Sequence, residues 1–487
     1  MGEQVESGSR DPFDPTAWPM SPLAVELDQL VSAVPRRDRS AEAAGWAVAQ
    51  LAAGAAAADV AAAAMWVGLR NTRAEGRGPH GLVTHSVLAA HAAATIGHDD
   101  RSRAMAVAQL CAYTAGDRRG GANDPKEGPT RLGWFEPARE HEQREAPGAP
   151  TDVLVAELLD AAERGETELT DHLWLATAGQ DVEEAEQALL SAAAAGYHLN
   201  EHKLIYPAQL LGWPTPQGDI EPVLFRSAAR YAGNHLQDPP RAAERRADAA
   251  ALAEMIELAE GPWPGSGDDE RVSVVATGIA QIPRHELAPL VLGSLQDGLS
   301  PGDLVAAVAL VDAARYADTS FDPGDVSAPI GPVHAGTGAN AVRRCLSRAR
   351  TAALQFELAL CVTDSPNARR LAPVAELTIP PWDDGAVDDL VDALAHGEPD
   401  AAAEAASAVP PDDADAVARA WAAIVDAAVT DQWMVLHGLK HVVAMREDFD
   451  TSSHPARTWF LAAAARTAAH ATAVEQPLAV HIERLLD

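Results

Sequence analysis

Residues 46–69 read WAVAQLAAGAAAADVAAAAMWVGL. Alanine has the highest intrinsic helix propensity, because it loses no side-chain entropy in a helix and hides no polar group. A stretch this rich in alanine, with no proline and no run of β-branched residues, reads as helix. Its length approaches that of a membrane span, but it is built on alanine rather than leucine and runs directly into Arg70, Arg73 and Arg77. It is therefore expected to be a buried helix that neighbours approach closely.

The same character extends outward in both directions. Apolar residues recur with helical spacing over Leu23–Leu69, Leu82–Ala115, Asp152–Gly196, Ile220–Ala232, Arg241–Ala259, His285–Tyr316, Ala339–Val362, Val387–Ala395, Ala414–Met445 and Ala456–Leu486. Gly- and Pro-rich breakers separate them at Gly261–Gly267, Asp322–Pro332 and Pro380–Asp384, and Gly116–Pro150 reads as a long surface excursion. Val272–Ile282 is partly β-branched, yet a single short strand would lack a pairing partner. Aromatic residues are only 5% of the 487, which argues against an all-β fold, and no fixed-period repeat is present. The expectation is an all-α fold: a large single-domain helical bundle with long loops over 21–487, behind a flexible N-terminal tail at 1–20. Two lobes are the alternative division.

Charge narrows the function. Lys and Arg number 37 against 71 Asp and Glu, a formal net charge of −34. Such a field repels phosphate backbones and anionic headgroups, so no nucleic-acid or membrane partner is expected, and solubility explains the acid. The three cysteines, Cys111, Cys345 and Cys361, lack Cys-x-x-Cys spacing and suit a reducing compartment. Met1–Trp18 carries no apolar signal core, so the expected location is cytoplasmic.

The chain holds 17 histidines, and four segments place one in or beside an apolar run. These are Thr84-His85-Ser86, Glu201-His202-Lys203-Leu204-Ile205-Tyr206, Pro332-Val333-His334-Ala335-Gly336-Thr337, and Leu436-His437-Gly438-Leu439-Lys440. Other metal patterns fit less well. No histidine has a Glu three residues before it, as a ferritin-like di-iron site requires. His198/His202 and His437/His441 are each four apart, but neither pair carries the glutamate of a zinc protease. Gly336–Ala341 mimics a dinucleotide fingerprint, yet Pro329 and Pro332 break the strand that should precede it. No nucleophile elbow and no phosphate-binding loop occurs.

In order and separation the four segments resemble the motifs of the questin oxidase-like family. His85 followed by Ile96-Gly97 resembles that family's Asn-His-Gly helix closing twelve residues later at Leu-Gly. His202, Leu204 and Ile205 match a His-Gly-Leu-Ile-Arg motif, and His334, Thr337, Ala341 and Arg343 match His-x-x-Thr with a later Ala-x-Arg. His437 and Lys440 match His-Val-Ile-Lys. Thr84, Ser86, Lys203, Tyr206 and Leu436 depart from the pattern, which bears on the substrate more than on the metal.

The resemblance implies non-heme Fe2+ held by His85, His202, His334, His437 and Lys440, the lysine carrying CO2 as a carbamate. An ammonium has no lone pair to give, and at a reference pKa of about 10.4 only roughly 1 in 2,000 lysines is neutral near pH 7. Burial beside a cation lowers that pKa and frees the amine to take up CO2. The implied activity is that of an oxygenase using O2 on an aromatic polyketide such as a hydroxyanthraquinone, by ring cleavage or Baeyer–Villiger-like insertion. Lys440 and Arg343 are its candidate catalytic residues; Arg343 would hold a substrate oxyanion or form a structural salt bridge. Trp213 and Trp433 are candidates for stacking on a flat substrate or for core packing. The alternative reading is a catalytically inactive helical scaffold or binding protein that retains the family fold.

Overall fold

A computed structural model of the chain describes residues 21–35, 37–71, 85–117, 149–211, 213, 221–234, 239–256, 269–282, 286–322, 325, 327–371, 374, 377–431, 436–474 and 476–487. The expected tail at 1–20, most of the Gly116–Pro150 excursion, Gly261–Gly267, Thr84 and Trp433 lie outside the described residues. Among the described residues there are twenty-two α-helices and no strand, as expected for an all-α fold.

The first five are α1 (Pro22–Ala33), α2 (Arg39–Ala52), α3 (Ala57–Asn71), α4 (His85–Thr95) and α5 (Asp100–Asp117). Then come α6 (Thr151–Glu163), α7 (Thr167–Gln180), α8 (Val182–Gly196), α9 (His202–Leu210), α10 (Glu221–Ala232) and α11 (Pro239–Met255). The next are α12 (Asp269–Gln281), α13 (Leu287–Gln296), α14 (Pro301–Asp318), α15 (Val333–Leu346) and α16 (Ala352–Cys361). The last six are α17 (Ala386–His396), α18 (Pro399–Ser407), α19 (Ala414–Ala428), α20 (His437–Thr451), α21 (Thr458–Thr472) and α22 (Pro477–Leu486).

The deciding stretch is not one helix but two. Gly54 adopts φ +93° between α2 and α3, a left-handed value that alanine disfavours, so the alanine run folds back at its only early glycine. No helix among the described residues is long and apolar enough to cross a membrane. The β-branched segment around Val272–Ile279 lies in α12, with Val272, Val275 and Ile279 buried on one face.

Local chemistry fixes where helices begin and end. Ser21, Asp181, Ser300, Thr351 and Asp413 each accept a hydrogen bond from a first-turn backbone N–H, and Pro301 opens α14 where no N–H is needed. Buried cations cover carbonyls at the other ends. Lys203 Nζ donates to the carbonyls of Tyr231, Ala232 and Asn234 at the end of α10. Arg315 donates to Ile279 and Ala280 of α12, and Arg466 to Ala317 and Thr319 at the end of α14. A positive charge there satisfies orphan carbonyls and complements the negative end of the helix dipole.

A hydrophobic cluster of buried side chains extends from Ala24 to Ile482. Within it α4 packs on α3, α5, α9 and α20, while α15 packs on α9, α14 and α20. Four helices far apart in sequence, α4, α9, α15 and α20, therefore surround one point.

Candidate metal centre

Each of those four helices brings a histidine in its first turn. His85, His202 and His437 are the opening residues of α4, α9 and α20, and His334 is the second residue of α15. Their rings meet: centroids lie 4.6 Å apart for His85 and His437, 5.4 Å for His85 and His202, 4.5 Å for His202 and His334, and 4.7 Å for His334 and His437. One ligand atom each from His85, His202 and His437 lie within 4.8 Å of one another. His202, His334 and His437 are buried, and His85 is half-buried.

The tautomers follow from the partners. His202 Nδ1 lies 2.8 Å from Asn200 Oδ1, which also accepts the His202 backbone N–H, so Nδ1 carries the proton and donates it. His334 Nδ1 lies 3.2 Å from the Gly331 carbonyl, which can only accept. Both Nε2 atoms therefore carry lone pairs, and they face each other at 3.2 Å. Two such lone pairs repel unless a cation lies between them. Nitrogens about 2.1 Å from a shared ion and at right angles to one another are about 3 Å apart, so the spacing fits a pair of neighbouring ligands. Asn200 and the Gly331 carbonyl are acceptors of the kind that orient the rings of histidines in metal sites.

Lys440 joins the group from α20, one turn after His437. It is 2% exposed, and its Nζ has no hydrogen-bond partner among the described residues. Burial brings its pKa down to about 7. His437 is held well below the ordinary histidine range, first by burial and then by the charges of Lys440, His85, His334 and His202. Neutral imidazoles are the form that binds a metal. Leu436, just before His437, has φ +62°, the only positive φ at a non-glycine among the described residues. Holding a bulky side chain there costs about 1–2 kcal/mol and turns the chain sharply into α20 at the histidine.

The nearest buried acid in sequence is not a ligand here. Glu201 accepts from Ser365 Oγ and Asn367 N on one oxygen and from Asn367 Nδ2 on the other, with burial pushing its pKa up. His441 also turns away: its Nδ1 pairs with Thr467 Oγ1 at 2.8 Å and its ring rests on Tyr316 at 4.7 Å. His198 precedes α9 and so cannot share a helical face with His202.

Arg343 is placed differently from the other site candidates. Its Nε donates to Asp448 Oδ1 at 2.7 Å, and its NH2 reaches Glu447 at 3.4 Å. Nine residues beyond His334 on one helix puts it about 13 Å further along the axis and half a turn around. Arg343 is thus part of an ion-pair network that ties α15 to α20. Trp213 is buried with its ring 6.1 Å from His91, packed into the protein. The glycines that mimic a dinucleotide fingerprint lie inside α15 and serve close packing. A Cβ on Gly336 would meet Met445 Cε at 2.9 Å and His441 Nε2 at 3.0 Å, and one on Gly338 would overlap the Tyr197 hydroxyl.

Several site residues carry no motif. Asn200, two residues before His202, has the short-range amide pattern that could have been read from sequence. Gly331 contributes only a backbone carbonyl, and Tyr113, whose ring lies 6.2 Å from that of His85, is brought in by α5. Compared with protein-family models, with curated proteins and with solved structures, the chain matches none.

Proposed function

We propose that the chain is a non-heme iron oxygenase of the questin oxidase-like kind, acting with O2 on a hydroxyanthraquinone or a related polycyclic aromatic polyketide. The observation that carries this reading is the pair of Nε2 atoms of His202 and His334 facing each other at 3.2 Å. With His85 and His437 alongside, the group has the nitrogen-rich chemistry that suits iron(II). Bound Fe2+ would supply the one-electron chemistry through which O2 reacts with a closed-shell organic molecule.

The protein's own groups do the rest. Asn200 and the Gly331 carbonyl hold two imidazoles in the ligating tautomer. Lys440, converted to a carbamate by CO2, places an anionic oxygen where no carboxylate of the histidine group stands. The N-termini of α4, α9, α15 and α20 all point at the centre, so their partial positive charges favour an ionised phenol or enol of the substrate there.

The test is anaerobic loading with Fe2+, elemental analysis, and O2 uptake with hydroxyanthraquinones under 18O2. About one iron per chain with substrate-dependent O2 uptake supports the proposal. Two labelled oxygens in the product mean ring cleavage by a dioxygenase; one, formed only when a two-electron reductant such as NADPH is added to carry the second oxygen to water, means insertion. Stable folded protein that takes up no metal refutes the reading and leaves a helical scaffold or binding protein.

A further inference from the structure

We infer that Tyr113 lines the entrance to the histidine centre, so that O2 and a flat aromatic substrate reach it along the His85 side. The inference rests on the proposed metal centre and adds the direction from which that centre is approached.

The other members of the centre lie deeper in the protein. Behind His202, Lys203 is buried with its Nζ on the carbonyls that end α10, and both carboxylate oxygens of Glu201 are held by Ser365 and Asn367. Behind His334, α15 lies so close to its neighbours that Gly336 and Gly338 have no room for a Cβ. Behind His437, a Cβ on Gly438 would come within 2.5 Å of the Asp431 carboxylate, and α21 covers the next turn through Thr467 and His441. His202, His334, His437 and Lys440 are each at most 6% exposed.

The His85 side differs. His85 is half-buried, and so is Tyr113, near the end of α5. The two rings are 6.2 Å apart and nearly perpendicular, at 83°. Of the four histidines and Lys440, His85 alone is not buried, and the Tyr113 ring stands beside it. A phenol ring is broad, rigid and apolar on its faces, which suits a passage used by planar aromatics.

The experiment uses the full chain loaded with Fe2+ and nitric oxide as the probe, with association followed by stopped-flow absorbance. Metal content is measured in parallel. Tyr113→Trp should load iron as wild type does and slow nitric oxide entry about tenfold, equivalent to an entry barrier higher by about 1.4 kcal/mol. Tyr113→Ala should accelerate entry severalfold, and Tyr113→Phe should match wild type because the ring, not the hydroxyl, forms the wall. Opposite effects of Trp and Ala at equal iron content establish the entrance. Unchanged rates in loaded Tyr113→Trp and Tyr113→Ala overturn it while leaving the metal centre intact. Failure of the wild type to load metal removes the centre, and the entrance with it.

Discussion

Replacing a mid-helix glycine by alanine ordinarily stabilises a protein by about 1 kcal/mol, through helix propensity and reduced freedom of the unfolded chain. Gly338 in α15 should do the reverse. An added Cβ would overlap the hydroxyl of Tyr197, which is fully buried, and would stand 3.1 Å and 3.2 Å from Glu201 Cγ and Cβ. Carbon contacts are optimal at about 3.5–4.0 Å, so α15 must move away by a sizeable fraction of an ångström. Neither neighbour yields easily: Tyr197 is a rigid ring in the core, and Glu201 is held by three hydrogen bonds from Ser365 and Asn367. Overpacking of this kind costs about 3 kcal/mol, which the propensity gain reduces to about 2 kcal/mol of net destabilisation. For a chain of this length that is a fall in Tm of about 2 °C.

The same displacement would separate His334 on α15 from His202, which follows Glu201, and should weaken metal retention. Gly336 is the internal control. Its closest obstruction is the flexible tip of Met445 at 2.9 Å, with the His441 ring next at 3.0 Å, so Gly336→Ala should cost less than Gly338→Ala. Urea unfolding of the two variants, with iron content after dialysis, decides the matter. If Gly338→Ala is as stable as wild type, or Gly336→Ala is the worse of the two, the close-packing account of α15 is wrong.

Glu357 is buried beside Ser191, and burial raises its pKa to about 7, so folding favours the neutral acid. That contribution is complete below about pH 4.5 and is lost as pH rises through about 7; Glu357→Gln, which stays neutral, should therefore gain about 3 kcal/mol on wild type between pH 4.5 and pH 8 in paired unfolding measurements. His85→Ala should lose metal while keeping its helical circular dichroism. His98→Ala and His454→Ala should keep the metal, because His98 pairs with Asp426 and His454 with Ser273 and the Ala456 N–H; equal metal content in all three would dissolve the ligand assignment. Lys440→Arg keeps the charge but cannot form a carbamate, so metal retention should fall, and bicarbonate should raise iron loading of wild type but not of the variant. Full retention in Lys440→Arg would make Lys440 an ordinary buried lysine.

The helical class was legible because alanine propensity and apolar spacing are local properties, and they pointed the same way throughout the chain. Three helices escaped for local reasons as well: α12, whose β-branched Val272, Val274 and Val275 masked its helical spacing, and two more. In α9, Pro207 interrupts the pattern, although a proline in a short helix needs only one absent hydrogen bond. In α18, small alanines leave little amphipathic contrast to detect. The four histidines could be singled out because each stood beside an apolar run, and the structure brings all four together. Arg343 could not be placed from sequence. Its role is decided by Asp448 and Glu447, more than a hundred residues away on α20, and no local pattern foretells that meeting. Tyr113 was illegible for the same reason: only the packing of α4 on α5 puts it beside His85.

The electrostatics of the centre impose a condition on whatever occupies it. Four helix N-termini converge there, each presenting up to about half a positive charge, and the four imidazoles add none of the opposite sign. A divalent ion raises the local positive charge further, in a place where burial makes uncompensated charge costly. The chain carries 71 acidic residues, yet the described group that could hold a metal consists of histidines alone, and neighbouring Glu201 spends both oxygens on Ser365 and Asn367. Buried Asp431, against Gly438 and so beside His437, offers part of the compensation, and the rest must arrive from outside the amino-acid inventory. On the proposed reading it comes twice, as CO2 fixed on Lys440 and as an ionised phenol of the substrate. The two differ in permanence: the carbamate stays with the protein and serves metal retention, whereas the phenolate comes and goes with turnover. A centre short of one negative charge at rest favours an anionic substrate over its neutral ether. Methylating the phenol of a hydroxyanthraquinone beside its reacting ring should accordingly weaken binding to the iron-loaded protein far more than methylating a remote one. Equal affinity for the two ethers would show that charge compensation does not select the substrate.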